Sequence, residues 1–169
     1  MLDNDYSELL KSADAIRQAF LDDLYFAYFY TFNIMRNKPP MIPRPKNRKN
    51  HFRVMSTYIM YALRADRVNL PDLVLTLNTI PRYGKTELMC IAIAWCYAQN
   101  PAANFIYGSY KKMLATQQTE YVRKILQSRF YQAFFDVRLS KSSTAKDNFL
   151  TVQGGRTIAV GADGSSLGI

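Results

Sequence analysis

The chain has 169 residues, 49% hydrophobic, 14% aromatic and 21% charged, enough apolar material for a core and too much for disorder along its length. Lysine and arginine number 22 against 13 acids, a net charge of +9, which points to an anionic partner such as nucleic acid or a nucleotide phosphate. Cys90 and Cys96 share one apolar run without zinc spacing or a disulfide framework, so a reducing compartment is expected. The opening MLDNDYSELL lacks the basic-then-apolar order of a signal peptide. The aromatic stretch Leu24 to Met35 is shorter than a membrane span. A soluble intracellular protein with no membrane partner is therefore expected.

From Ser7 to about Phe32 apolar residues recur at helical spacing, as in Leu9, Ala13, Ile16, Phe20, Leu24 and Ala27. This amphipathic aromatic helix either packs on the main domain or docks on another subunit. Residues 36–53 break the pattern. Pro39, Pro40, Pro43 and Pro45 forbid regular helix, and seven bases there have no acidic counterweight. The stretch is a basic linker, either solvated or in contact with a phosphate backbone. His51 to Arg64 returns to helical spacing.

Leu73-Val74-Leu75-Thr76-Leu77 has the near-continuous apolar character of a strand buried on both faces. The loop Ile80-Pro81-Arg82-Tyr83-Gly84 follows, then a helix from Lys85 to Gln99 that Asn100-Pro101 stops. Asn104 to Tyr107 reads as a second strand, and Ser109 as the cap of a polar helix over about 110–127. Strand, loop, helix and strand make one parallel crossover unit, right-handed by the usual rule. Phe149 to Val152 and Thr157 to Val160 form a hairpin turning at Gly154-Gly155, before a glycine- and serine-rich end.

The central motif is Pro81-Arg82-Tyr83-Gly84-Lys85-Thr86. Gly-Lys-Thr between a strand and a helix is the core of a phosphate-binding loop. Backbone N–H groups of the loop and of the first helical turn satisfy themselves on an anion there. Gly84 lets the backbone approach the phosphate closely. Lys85 can reach the β- and γ-phosphate oxygens, and the Thr86 hydroxyl can ligate the Mg²⁺ that bridges them. The general pattern has glycine five positions before Gly84, where this chain has Thr79. The alternative is an ordinary surface turn with a solvated lysine.

Arg82 can contact the γ-phosphate and stabilise transition-state charge, or it is a solvent-facing loop arginine. Glu87 either orients the loop or favours the helix N-terminus electrostatically. Trp95, Cys90 and Cys96 read as helix core. A nucleotide hydrolase also needs an acidic partner for Mg²⁺. Asp136 stands in a helical, aromatic context, and Asp163 follows an apolar run but precedes Gly164. Neither matches a strand closing in adjacent acids.

From about His51 onward the order of features resembles the ATPase domain of large terminase subunits, the DNA-packaging motors of tailed phages. The residues that carry the resemblance are Ile80-Pro81-Arg82-Tyr83-Gly84-Lys85-Thr86-Glu87, Asn100-Pro101, Ser109-Tyr110, Val122-Arg123-Lys124-Ile125-Leu126, Phe134-Phe135-Asp136 and Gln153-Gly154-Gly155. The resemblance implies an α/β fold with a P-loop NTPase-type parallel sheet flanked by helices, incomplete, behind a helical N-terminal extension. Residues 1–50 would be that extension and its linker, and 51–169 a partial ATPase domain ending before the acidic strand. The implied function is ATP hydrolysis with Mg²⁺, driving translocation of double-stranded DNA into a capsid. Pro81, Arg82, Tyr83, Gly84, Lys85, Thr86 and Glu87 would bind the cofactor, Lys85 and Arg82 would act catalytically, and Thr86 would hold the metal. His51 would lie near the base. Implied partners are a small terminase subunit, a capsid portal and, when complete, further copies of the chain, in the cytoplasm of a phage host. Another P-loop helicase or translocase fragment, or a non-catalytic nucleic-acid-binding protein, is the alternative.

Overall fold

The computed structural model describes residues 12–40, 50–63 and 73–162. The chain divides into two units, with the border between Leu88 and Met89.

The first unit is helical. Helix α1 (Ala13–Asp22) is capped by Ser12, whose hydroxyl accepts from the Ala15 N–H at 3.0 Å. Helix α2 (Leu24–Arg36) follows after a single residue. The sequence spacing suggests one continuous helix, and Asp23 divides it. Its backbone is extended and its N–H closes α1 on the Ala19 carbonyl. Its carboxylate then accepts from the Tyr25 N–H at 2.8 Å, so one residue satisfies both helix ends. Asn37, in the left-handed region at φ 52°, ends α2.

Helix α3 (His51–Leu63) starts where the sequence places it. The Asn50 side chain accepts from the Phe52 N–H and donates to the Tyr25 hydroxyl, tying α3's start to α2. Helix α2 is buried around most of its first two turns, from Leu24 to Phe29, against neighbours on both α1 and α3. On α3 the buried residues Phe52, Met55, Ser56 and Ile59 recur at helical spacing. Each large aromatic removed from water here contributes roughly 2–3 kcal/mol.

Residues 73–80 form no strand. This corrects the expectation of a doubly buried strand over Leu73–Leu77. Val74 is 87% exposed and Leu73 is 45% exposed. A parallel strand is held by ladders on its edges, and this segment has none among the described residues. The crossover expected from it to Asn104 is therefore not formed.

Helix α4 (Lys85–Gln99) opens within the first unit and has the bounds read from the sequence. In the second unit its residues Cys90 to Tyr97 are all buried, the signature of a core helix. Strand β1 (Asn104–Ser109) follows, then helices α5 (Lys112–Leu126) and α6 (Arg129–Phe134), and strands β2 (Leu139–Thr144), β3 (Asn148–Thr151) and β4 (Arg156–Gly161). Lys111, not Ser109, occupies the cap of α5, without a side-chain cap bond.

The sheet order is β1-β4-β3-β2. Strand β1 runs parallel to β4, with Asn104 opposite Arg156 and Ser109 opposite Gly161. Strands β3 and β4 form the antiparallel hairpin expected around Gly154-Gly155, and β2 joins β3 antiparallel. The architecture is α/β, with a mixed four-stranded sheet flanked by helices, rather than the parallel sheet expected. Only β1–β4 among the described pairings is parallel.

Alternate strand residues set the second unit's core. Phe149, Thr151, Thr157 and Ala159 are buried. Tyr97 of α4 stacks edge-on to Phe105 at 5.0 Å, and its hydroxyl shares a 2.7 Å hydrogen bond with Thr157. Tyr131 of α6 donates to the Ala94 carbonyl at 2.7 Å. At Gly155 a Cβ would lie 2.3 Å from the Pro101 carbonyl oxygen, so the hairpin can close against that turn only with glycine.

Candidate functional site

The candidate site lies in the first unit, where the chain bends from Thr79 into α4. Two residues carry the bend in the left-handed region, Arg82 at φ 66° and Gly84 at φ 74°. Glycine adopts that backbone freely; arginine does so at a cost of about 1–2 kcal/mol. The first i→i−4 bond of the helix runs from the Leu88 N–H to the Gly84 carbonyl at 2.9 Å. The N–H groups of Lys85, Thr86 and Glu87 thus belong to the turn that lacks intrahelical acceptors, where the helix dipole favours an anion.

The loop is closed on itself. The Lys85 ammonium donates to the Thr79 carbonyl at 2.6 Å. Thr79, at the position where the general motif has glycine, thereby supplies a backbone acceptor that holds the lysine at the bend. Its own hydroxyl is buried with no hydrogen-bond partner among the described residues.

Aromatic residues from α2 and α3 fix the loop from behind. A Cβ on Gly84 would lie 2.8 Å from the Phe52 ring and 3.1 Å from the Tyr28 hydroxyl. Tyr28 and Phe52 are themselves stacked at 4.5 Å and almost fully buried. The glycine is therefore required twice, by its positive φ and by the close approach of these rings. Sequence reasoning did not identify either ring. The density of aromatics from Tyr25 to Phe32 signals a buried helix, but nothing local says which ring meets Gly84.

A cleft of about 520 Å³ opens beside the loop. Arg82, Tyr83, Gly84 and Glu87 form one wall, with Lys38, Phe32, His51 and Phe52 among the others. That volume suits a small ligand. Tyr83 lies 5.3 Å from the His51 ring, which in turn lies 4.1 Å from Phe52. The His51 Nε2 is buried and unpartnered among the described residues. His51 also borders a second cleft of about 450 Å³, with Met55, Tyr58, Leu75 and Thr79.

Of the expected site residues, Arg82, Tyr83, Gly84 and Glu87 come together in the cleft wall. Lys85 turns back to Thr79, and Pro81 and Thr86 are exposed. The Glu87 carboxylate accepts from the Arg36 guanidinium at 2.8 Å. That contact crosses 51 positions of sequence and carries no local signal.

No cluster of three or more potential metal-ligating His, Cys, Asp or Glu side chains occurs among the described residues. Asp136 is exposed and lies 3.5 Å from Arg138. Asp163 falls outside the described residues, as do residues 41–49 of the basic stretch expected over 36–53. In the described part of that stretch, Arg36 is engaged with Glu87, and Arg53 reaches Asp23 at 3.4 Å and lies over the Tyr25 ring. No described helix is long and apolar enough to cross a membrane. Comparisons with protein-family models, with curated proteins and with solved structures find no match for the chain.

Proposed function

We propose that the bend from Thr79 to Glu87 binds the phosphate tail of ATP together with Mg²⁺. The chain would serve as the nucleotide-binding part of a P-loop ATPase of the large-terminase kind, one that moves double-stranded DNA into a capsid. The carrying observation is the closed bend itself, with Lys85 folded back to Thr79 and Gly84 in the left-handed region at the start of α4.

The donor set fits a polyphosphate. The first-turn amides and the helix dipole favour anions, Lys85 adds an ammonium held at the bend by the Thr79 carbonyl, and Arg82 adds a guanidinium at the cleft wall. Gly84 carries no side chain, so oxygen atoms can approach the backbone there from the side away from Phe52 and Tyr28. The Thr86 hydroxyl, exposed on the first turn, would hold Mg²⁺, which when bound draws charge from the phosphoryl group. The half-buried rings of His51 and Tyr83 offer faces against which a base can stack.

The test is a calorimetric titration of the whole chain with Mg²⁺·ATP, wild type against Lys85→Ala. Saturable binding that weakens at least about tenfold in the variant supports the reading, since a charge-assisted hydrogen bond contributes about 1.5–3 kcal/mol. The non-catalytic alternative gives the opposite pattern. In that case no nucleotide binds, while salt-sensitive DNA binding persists unchanged in Lys85→Ala.

A further inference from the structure

We propose that Arg36 is a positioning residue for the phosphate loop, acting through Glu87. Its guanidinium neutralises the one carboxylate in the loop-side cleft wall and holds it clear of the incoming anion. The inference rests on the phosphate reading above and goes beyond it.

The geometry is specific. Glu87 lies three residues after Gly84, so it faces the same side of the first turn of α4. Its carboxylate lines the cleft together with Arg82 and Gly84 and is only 19% exposed. A negative charge there opposes a polyphosphate bound at the neighbouring amides. Arg36, the last residue of α2, places its Nε 2.8 Å from Glu87 Oε1. At 49% exposure the arginine gains little from the ion pair as a stabiliser of the fold. Its consequence is felt at the site, because the pair removes a repulsive charge from the cleft. The same contact ties the end of α2 to the phosphate loop, whose glycine already rests on Tyr28 of that helix.

The experiment titrates the whole chain with Mg²⁺·ATP and, separately, with inorganic tripolyphosphate. The variants are Arg36→Ala, Arg36→Lys, Glu87→Gln and the double variant R36A/E87Q. Circular dichroism melting establishes that each is folded. Arg36→Ala is expected to weaken binding of both probes about three- to tenfold, and Arg36→Lys by less than about twofold because the charge remains. Glu87→Gln is expected to tighten binding. The double variant is expected to bind at least as tightly as wild type, since the carboxylate that Arg36 restrains is gone. A merely structural role for Arg36 would leave the double variant as impaired as Arg36→Ala. That result, or an Arg36→Ala that binds like wild type, overturns the inference while leaving the phosphate site standing. A wild type that binds neither probe overturns both.

Discussion

The ammonium of Lys85 donates to the backbone carbonyl of Thr79, six residues earlier, at 2.6 Å. The contact encircles the bend and gives the lysine a neutral acceptor at the start of the loop. In the proposed site a phosphate would offer a charged acceptor and draw the ammonium from the carbonyl to the anion. Lys85→Ala is therefore expected to weaken polyphosphate binding by about 10- to 100-fold while changing stability by no more than about 1 kcal/mol. Parallel calorimetric titration and thermal melting check the two effects separately.

Gly84→Ala should fail for reasons independent of charge. The new Cβ would meet the Phe52 ring at 2.8 Å and the Tyr28 hydroxyl at 3.1 Å, on a backbone at φ 74°. Both rings are buried and have little room to yield. The expected loss is about 2–4 kcal/mol of stability, from overpacking and left-handed strain together. Urea denaturation measures it, and an alanine variant as stable as wild type would contradict the close packing described.

In the second unit, Tyr97→Phe removes one side of the buried pair with Thr157, leaving the Thr157 hydroxyl without its 2.7 Å partner. The expected cost is about 1–3 kcal/mol. The double variant Y97F/T157V should recover part of it, because both polar groups are then gone. A double-mutant cycle by urea denaturation reads the coupling.

Alkaline stability follows from the same core. Burial pushes the Cys96 thiol up to about 12 from an ordinary value of 9.0. Burial also pushes the Tyr97 hydroxyl up to about 12, with its bond to Thr157 pulling the other way. Raised folded-state values mean that the unfolded chain gives up these protons first. The associated stability is whole below about pH 9 and is lost as pH rises toward 12. Cys96→Ala should flatten the fall in melting temperature across that window. At pH 8 native Cys96 is expected to resist iodoacetamide, since the thiolate is the reactive form.

Much of this fold can be read from local patterns. Helix α4 has its expected bounds because Gly84 opens it and Asn100-Pro101 stops it, both short-range devices. The β3–β4 hairpin is legible in its two glycines. The segment Leu73–Leu77 misled for a physical reason. Apolar content makes a strand possible, but only a neighbouring edge makes it one, and no described strand supplies that edge. Strand β2 escaped notice because Leu139-Ser140-Lys141-Ser142 shows no sustained apolar alternation. At the candidate site, Gly84, Lys85 and Thr86 stand out as a motif. The residues that shape their surroundings, Tyr28, Phe52 and Arg36, lie 32–56 positions from their partners and are joined only by folding.

The most direct measurement is a ¹⁵N–¹H correlation spectrum of the whole chain recorded during titration with inorganic tripolyphosphate. If the bend before α4 gathers its amides around an anion, the resonances of Tyr83 to Glu87 move together and saturate, and Lys85→Ala suppresses the movement. Uniform small shifts scattered over the basic surface, with those five amides unmoved, would contradict the phosphate site outright.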